Sequence, residues 1–472
     1  MEPFHPLTPE IVEQLKSIVG ASYVIADDPE LLEPYGHDEI PDRHYAHLPE
    51  AVVRPRTAAE IAAVLKLANA ERIAVTPRGA GSGLSGGAVP IHGGIVVATD
   101  RMNRILDVDL ENLMVVVEPG VVTAAINERL AGTGLFYAGY PMSLETCFVG
   151  GNIAENAGGG KAVKYGVTGR YVLGLEVVTP TGDILELGGK LIKDVTGYNL
   201  VQLMVGSEGT LGIVTRATLR LTPQPSATVD LLVTFPDTTT AITLVPRVMA
   251  ETGITPTAME FIDRGSFAQA CRYLNESLPY EDAGAVLIIT VDGADRDQVT
   301  REYERIGELC RKHGAREIYV AETAANSERI WNVRRNIAES YAVISPDQAN
   351  EDLVVPPARI PELIAGMEEL ATRHELLIPA YGHAGDGNIH TRIVRNPAWT
   401  REEWERRLPP VLDELYTLTA SLGGRISGEH GIGHKRKPYM ERFVSREYIA
   451  MIRAIKQALD PNGILNPGKV FD

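Results

Sequence analysis

The chain has 472 residues, 44% of them hydrophobic and 23% charged, enough to bury one large core or to divide into two or three lobes. A formal charge of -17 argues against a nucleic-acid binder, which needs a basic surface, and gives no overall attraction to anionic membranes. No run reaches the roughly 18 apolar residues of a membrane span, and residues 1–20 lack the basic start and apolar block of a signal peptide, so a cytoplasmic protein is expected.

In chain order, residues 51–78 predict a small βαβ unit. It comprises a strand over Ala51–Arg54, a helix over Ala58–Glu71 and a strand over Ile73–Thr76, with Thr57 and Glu60 at capping-box spacing. Short strands follow at Ile95–Ala98, Val115–Glu118, Gly174–Thr179 and Thr215–Leu221, separated by turn signals. Prolines between Leu221 and Ser226 mark a seam. Beyond it the pattern becomes strand (Leu231–Phe235), helix (Ala241–Glu251), strand (Ala285–Val291) and helix (Asp297–His313), a separate α+β lobe. A helix over Ser445–Leu459 and the turn-rich stretch Asp460–Lys469 close the chain. The expected fold class is α+β, with no internal repeat or low-complexity tract.

Two glycine-rich runs stand out. PRGAGSGLSGGAVP, Pro77 to Pro90, follows a predicted strand and contains G-x-G-x-x-G at Gly81, Gly83 and Gly86. A dinucleotide-binding turn of that type opens directly into a helix, which Gly87, Pro90, Gly93 and Gly94 forbid here. The loop can still wrap a pyrophosphate, because amides without neighbouring Cβ atoms can converge on anionic oxygens, and Arg78 would add charge. The second run, GGNIAENAGGGKAVKYG from Gly150 to Gly166, again lets backbone pass close to something. Together the runs suggest one extended ligand lying across both.

These pieces resemble the vanillyl-alcohol oxidase type of FAD-linked oxidoreductase, the p-cresol methylhydroxylase (PCMH) fold. The resemblance rests on PRGAGSGLSGGA, on YPMS from Tyr140 to Ser143, on GGNIAENAGG, on YGVTGRYVLGLEVVTPTGDIL and on NPGK from Asn466 to Lys469, which span nearly the whole chain. It implies a two-part FAD-binding domain over 1–224, an α+β cap domain that holds substrate over 225–424, and a C-terminal segment, 425–472, that carries catalytic residues back to the FAD domain. The family's first loop holds the FAD pyrophosphate and its second run lies along the ribityl chain and isoalloxazine. Carried over by motif, the implied FAD contacts are Pro77, Arg78, Gly79, Ala80, Gly81, Ser82, Gly83, Leu84 and Ser85 in the first loop. Pro141, Ser143, Gly150, Gly151, Asn152, Asn156 and Gly159 follow in and before the second run, with Ile213 and Asn466 further on. Members with covalent flavin carry a histidine in or beside the first loop; none lies between Pro77 and Pro90 here, so FAD is expected to be held non-covalently.

The second half carries GHAGDGNIH, Gly382 to His390, and SGEHGIGHKRKP, Ser427 to Pro438. Gly382, Gly385 and Gly387 argue for a loop or hairpin between strands, able to fold both His383 and His390 inward. Two imidazoles and a carboxylate, for which Glu429 is the candidate, suit Zn²⁺, Fe²⁺ or Mn²⁺ and leave positions open for substrate oxygens. His430 projects away from Glu429 if the segment is extended, and so offers a free base; Asp386 reads as a turn residue. One such histidine alone is more often an ordinary core or surface residue, and the joint pattern carries the argument.

The two motifs resemble the metal-dependent branch that includes D-lactate dehydrogenase, glycolate oxidase catalytic subunits and D-2-hydroxyglutarate dehydrogenase. That resemblance implies His383, His390 and Glu429 as metal ligands and His430 as the base. RIWNVRRN, Arg329 to Asn336, resembles the branch's substrate-carboxylate stretch and implies Arg334 as the gripping residue, with Arg335 its rival. The chain departs from some relatives at Asn350, where they have lysine, and at Arg392, where they have asparagine; both are positions around the substrate. The implied reaction is oxidation of a small 2-hydroxy acid, D-lactate or glycolate ahead of D-2-hydroxyglutarate, by proton abstraction and hydride transfer to flavin N5. Alternatives are a metal-independent FAD alcohol or sugar oxidase, a non-catalytic FAD-holding subunit of a glycolate-oxidase-like complex, and a hydrolytic metalloprotein, which leaves the glycine runs unexplained. Cys147, Cys271 and Cys310 are too dispersed for a disulfide framework or an iron–sulfur cluster. Any such cluster belongs to a partner; no motif names the electron acceptor, for which an electron-transfer flavoprotein or an iron–sulfur subunit is expected, with a quinone-linked chain or oxygen as alternatives, and a homodimer is left open.

Overall fold

In the computed structural model, which describes residues 4–41, 43–278 and 282–471, the helix Ala58–Glu71 begins where its cap predicts. The Thr57 hydroxyl accepts the Glu60 amide at 3.2 Å, while the Glu60 carboxylate reaches back to the amide of Arg56, not of Thr57, so the reciprocal box is only half made. The chain forms two units. The first comprises Met1–Gly158, Val167–Pro223 and Glu429–Asp472; the second comprises Gly159–Gly166 and Gln224–Gly428.

The first unit holds two main sheets. β1 (Val24–Ala26), β2 (Ala51–Val53), β3 (Val75–Arg78) and β4 (Ile95–Ala98) lie in the order β1-β2-β4-β3. β2 and β3 both run parallel to β4, which separates them, so the expected βαβ unit closes around an inserted third strand. β3 also starts two residues later than the pattern predicted, because Ile73 and Ala74 lead into it while Pro77 and Arg78 still pair with β4. β5 (Ile105–Asp109), β6 (Met114–Val117), β8 (Val172–Val178), β9 (Ile184–Gly188) and β10 (Ile213–Arg220) form an antiparallel sheet in the order β5-β6-β10-β8-β9. Two short strands, β7 (Leu135–Phe136) and β11 (Thr222–Pro223), pair separately. Leu15, Ile61, Leu65, Val75, Ile95, Val178 and Leu465 share one core. Burying each such side chain contributes roughly 1.5–3 kcal/mol. The tail closes on β3: the Val75 amide donates to Ile464 at 2.8 Å and the Asn466 amide donates back to Val75 at 2.7 Å. That pairing stiffens the strand from which the first glycine run departs.

The second unit is built on one antiparallel sheet of β12 (Ala227–Phe235), β13 (Ala258–Asp263), β14 (Ala285–Gly293), β15 (Glu317–Ala321), β16 (Gln348–Val354), β17 (Ala380–His383) and β18 (Asn388–Val394). Its order is β15-β12-β14-β13-β17-β18-β16. Period-2 alternation and the register place Glu260, Tyr381, His383, His390 and Asp352 on one face. The same face carries Ile262 and Val394, which pack with Phe267, Val333 and Tyr341 from the helices Arg264–Leu274, Ala324–Arg335 and Ile337–Ala342. Apolar side chains therefore occupy the part of the face beneath those helices and polar ones the part beyond. Residues 159–166 are anchored to this unit by Lys164, which donates to the Asp292 carbonyl at 2.8 Å, and by the Tyr165 hydroxyl, which donates to the Asp292 carboxylate at 2.9 Å. Among the described residues no helix is long and apolar enough to cross a membrane.

Candidate functional site

In the first unit the chain leaves β3 as a loop with no helix between Gly79 and Gly94. Gly81 and Gly86 adopt φ of +76° and +75°, which side-chain-bearing residues rarely reach. The Arg78 guanidinium donates to the carbonyls of Pro34 at 2.9 Å and His37 at 2.7 Å. Two of its five donors thus hold the N-terminal segment. Asp38 completes the strap by accepting the Gly86 amide at 2.7 Å and the Ile40 amide at 3.1 Å. Burial raises the pKa of its carboxyl, with those amides and Arg78 opposing.

The second glycine run comes against the first. A methyl group on Gly79 would stand 3.5 Å from the Gly151 amide nitrogen, and one on Gly151 would meet nothing within 4 Å. Gly150 is different, since its methyl would lie 2.6 Å from the Pro119 ring, a packing reason for glycine. The Asn152 amide donates to Thr123 at 2.8 Å and the Asn156 carbonyl oxygen accepts the Gly169 amide at 2.8 Å, so both side chains support the local fold. Pro77 sits in β3, and Ala80, Ser82, Gly83 and Leu84 are half-buried along the loop. Ile213 is buried at the head of β10, Ser143 is exposed in a turn beside half-buried Pro141, and Gly159 belongs to the second unit.

The buried side-chain oxygens left over in this unit include those of Ser85 and Asn466. Ser85 is 1% exposed and its Oγ has no hydrogen-bond partner among the described residues. Asn466 donates through Nδ2 to Gly87 at 3.0 Å and Glu208 at 2.7 Å, while its Oδ1 has no partner among those residues. Orphaned polar atoms at this depth fit a bound polar cofactor of the expected kind.

The stretch Glu429–His434 also belongs to the first unit. The Glu208 carboxylate accepts the amides of Ile432 at 2.8 Å and Gly433 at 2.6 Å, and fully buried Arg436 donates to the Gly431 carbonyl at 3.1 Å. Burial raises the Glu208 pKa against the pull of those amides, and burial beside Glu208 raises that of Glu155 further. The segment bends, so Glu429 and His430 do not diverge as an extended chain requires: His430 Nε2 lies 3.8 Å from Glu429 Oε1. A methyl group on Gly158 would stand 3.2 Å from Glu429 Oε2, so the run of glycines leaves room for that carboxylate.

In the second unit GHAGDGNIH forms the expected hairpin, with His383 ending β17 and His390 inside β18. Their Nε2 atoms face each other at 3.3 Å. His383 Nδ1 lies 2.5 Å from Glu260 Oε1, and His390 Nδ1 lies 3.5 Å from Asp352 Oδ1. Each ring thus turns one nitrogen to a carboxylate and the other toward its neighbour. Two imidazole nitrogens bound to one tetrahedral ion at about 2.0–2.1 Å stand about 3.3–3.4 Å apart, so the pair fits a shared metal. Asp352, fully buried, also accepts from Asn388 at 2.7 Å, Ser427 at 2.7 Å and the Gly428 amide at 3.0 Å.

Arg334 reaches the same cluster from the helix Ala324–Arg335. Its Nε donates to Glu260 Oε2 at 2.8 Å; Nη2 is 2.7 Å from that oxygen yet makes no hydrogen bond among the described residues. The guanidinium also lies 5.0 Å from the Tyr381 ring centre. Arg335 is exposed and pairs with Glu328, which separates the two rivals. Burial would raise the Glu260 pKa, but the His383 and Arg334 charges win and hold it down to about 2. Arg392 donates to Tyr381 at 3.3 Å and to Gln348 at 2.8 Å on the same face, where Asn350 is buried.

Glu260, Asp352, Asp38 and Glu208 were not singled out from the sequence. An available signal was acid placed inside otherwise apolar strand sequence, as in AMEFID and EDLVV.

Residues 224–470 match the family described as FAD linked oxidases, C-terminal domain, and residues 49–188 match the FAD binding domain. The chain is 38% identical over 468 residues to glycolate oxidase subunit GlcD of Bacillus subtilis (strain 168), covering 98% of this chain and 97% of that protein. It is 35% identical over 472 residues to D-lactate dehydrogenase of Anaerostipes hadrus, covering 99% and 98%. Among solved structures, p-cresol methylhydroxylase with substrate bound matches with a TM-score of 0.78 at 18% identity, over 100% of this chain and 99% of that one, which bears out the expected fold.

Proposed function

We propose that this chain, which belongs to the FAD-linked oxidase family, oxidises a small 2-hydroxy acid to the 2-oxo acid, with D-lactate and glycolate favoured. The observation that carries the reading is the facing pair His383 and His390 beside an arginine with an unfilled donor. Relatives named for glycolate and D-lactate support the substrate class.

Bound FAD supplies the two-electron acceptor, and a bound divalent ion supplies charge that favours the ionised hydroxyl. His383 and His390 hold the ion through Nε2, with Glu429 as its carboxylate ligand. Glu260 occupies the Nε side of Arg334, and the Nη1–Nη2 end of the guanidinium receives the substrate carboxylate as a fork. His430 takes the C2 hydroxyl proton at Nε2. Electrons leave to a partner protein, an electron-transfer flavoprotein or an iron–sulfur subunit; a relative named as an oxidase subunit supports there being a partner.

Stripping divalent metal with a chelator is expected to abolish dye reduction driven by D-lactate or glycolate while FAD stays bound. Adding back Zn²⁺, Mn²⁺ or Fe²⁺ singly should restore it with at least one ion. Full activity in metal-free protein would favour a metal-independent alcohol oxidase.

A further inference from the structure

We propose that Glu260 is a positioning residue whose single carboxylate sets both the tautomer of His383 and the orientation of Arg334. The inference rests on the metal-assisted reading above and adds the group that holds its two halves in register.

Glu260 on β13 stands directly opposite His383 on β17, so the contact is fixed by strand register and not by a flexible loop. The side chain is fully buried, with Oε1 2.5 Å from His383 Nδ1 and Oε2 receiving Arg334 Nε at 2.8 Å. An ionised carboxylate only accepts, so the proton between them belongs to Nδ1 and the Nε2 lone pair is turned toward His390, 3.3 Å away. The other oxygen secures one side of the guanidinium and leaves its far end for a ligand. Gly160 seals the approach, since a methyl group there would stand 2.9 Å from Oε1. Asp352 lies 3.5 Å from His390 Nδ1 but also ties down Asn388, Ser427 and Gly428, whereas the hydrogen bonds made by Glu260 go to two residues with proposed roles in the site.

Glu260→Gln tests this. An amide whose oxygen keeps Arg334 presents its NH₂ to His383 Nδ1, which moves the ring proton to Nε2 and removes the ligand lone pair. Full-length, FAD-loaded E260Q is expected to bind Mn²⁺ about 10–100-fold more weakly than wild type in competition with a chelator, at unchanged FAD content. Glu260→Asp keeps an acceptor-only carboxylate and should lose only a few-fold. Wild-type Mn²⁺ affinity in FAD-loaded E260Q would overturn the positioning role and leave the metal-assisted reading standing; a wild type that binds no Mn²⁺ would overturn both. Should E260Q lose FAD, E260D carries the test, with a few-fold loss supporting the role and no loss overturning it.

Discussion

Replacing His430 with alanine is expected to slow reduction of the bound flavin by 2-hydroxy acid about 10²–10⁴-fold, the usual contribution of a positioned base. The protein should remain yellow, because Glu208 and Arg436 hold the loop that carries His430 through its backbone. Stopped-flow absorbance under anaerobic conditions reads the effect directly. Wild-type bleaching rates in H430A would remove His430 from the role.

Arg334→Ala should damage both activity and stability. Glu260 is fully buried, and removing Arg334 leaves its carboxylate without a cation and with the His383 imidazole as its remaining hydrogen-bond partner. Breaking such a buried pair costs about 3–5 kcal/mol, to be read as a lowered denaturation midpoint. Losing a buried charged contact to the substrate carboxylate weakens the transition state by about 2–5 kcal/mol, which means a fall of roughly 30- to 5,000-fold in kcat/KM. Arg334→Lys separates the two effects. Its ammonium can still face Glu260 and recover much of the stability, but it cannot form the fork, so kcat/KM should stay low. Full activity in R334K would mean that the substrate carboxylate is held elsewhere.

What the sequence revealed follows from how locally each feature is encoded. The hairpin carrying His383 and His390 was legible because three glycines among strand-forming residues leave little else to form. The unsuitability of the first glycine run for a helix was equally local, resting on Gly87, Pro90, Gly93 and Gly94. Glu260 was not legible, because its partnership with His383 joins residues 123 positions apart through the pairing of two strands. The divergence expected of Glu429 and His430 assumed an extended backbone, and the loop instead bends around amides held by Glu208. That Arg78 also donates to the carbonyls of Pro34 and His37 was not legible, because those partners lie in a segment with no marked pattern. The passage of residues 159–166 into the second unit depends on Lys164 and Tyr165 meeting Asp292, again a distant pairing.

The measurement that bears most directly on the account is anaerobic titration of the purified, FAD-loaded protein with D-lactate, glycolate and D-2-hydroxyglutarate in turn, following flavin absorbance. Bleaching by D-lactate or glycolate, with the matching 2-oxo acid formed in equal amount to the flavin reduced, is the predicted result. Flavin that stays oxidised with all three, in protein that retains both FAD and metal, would contradict the assignment.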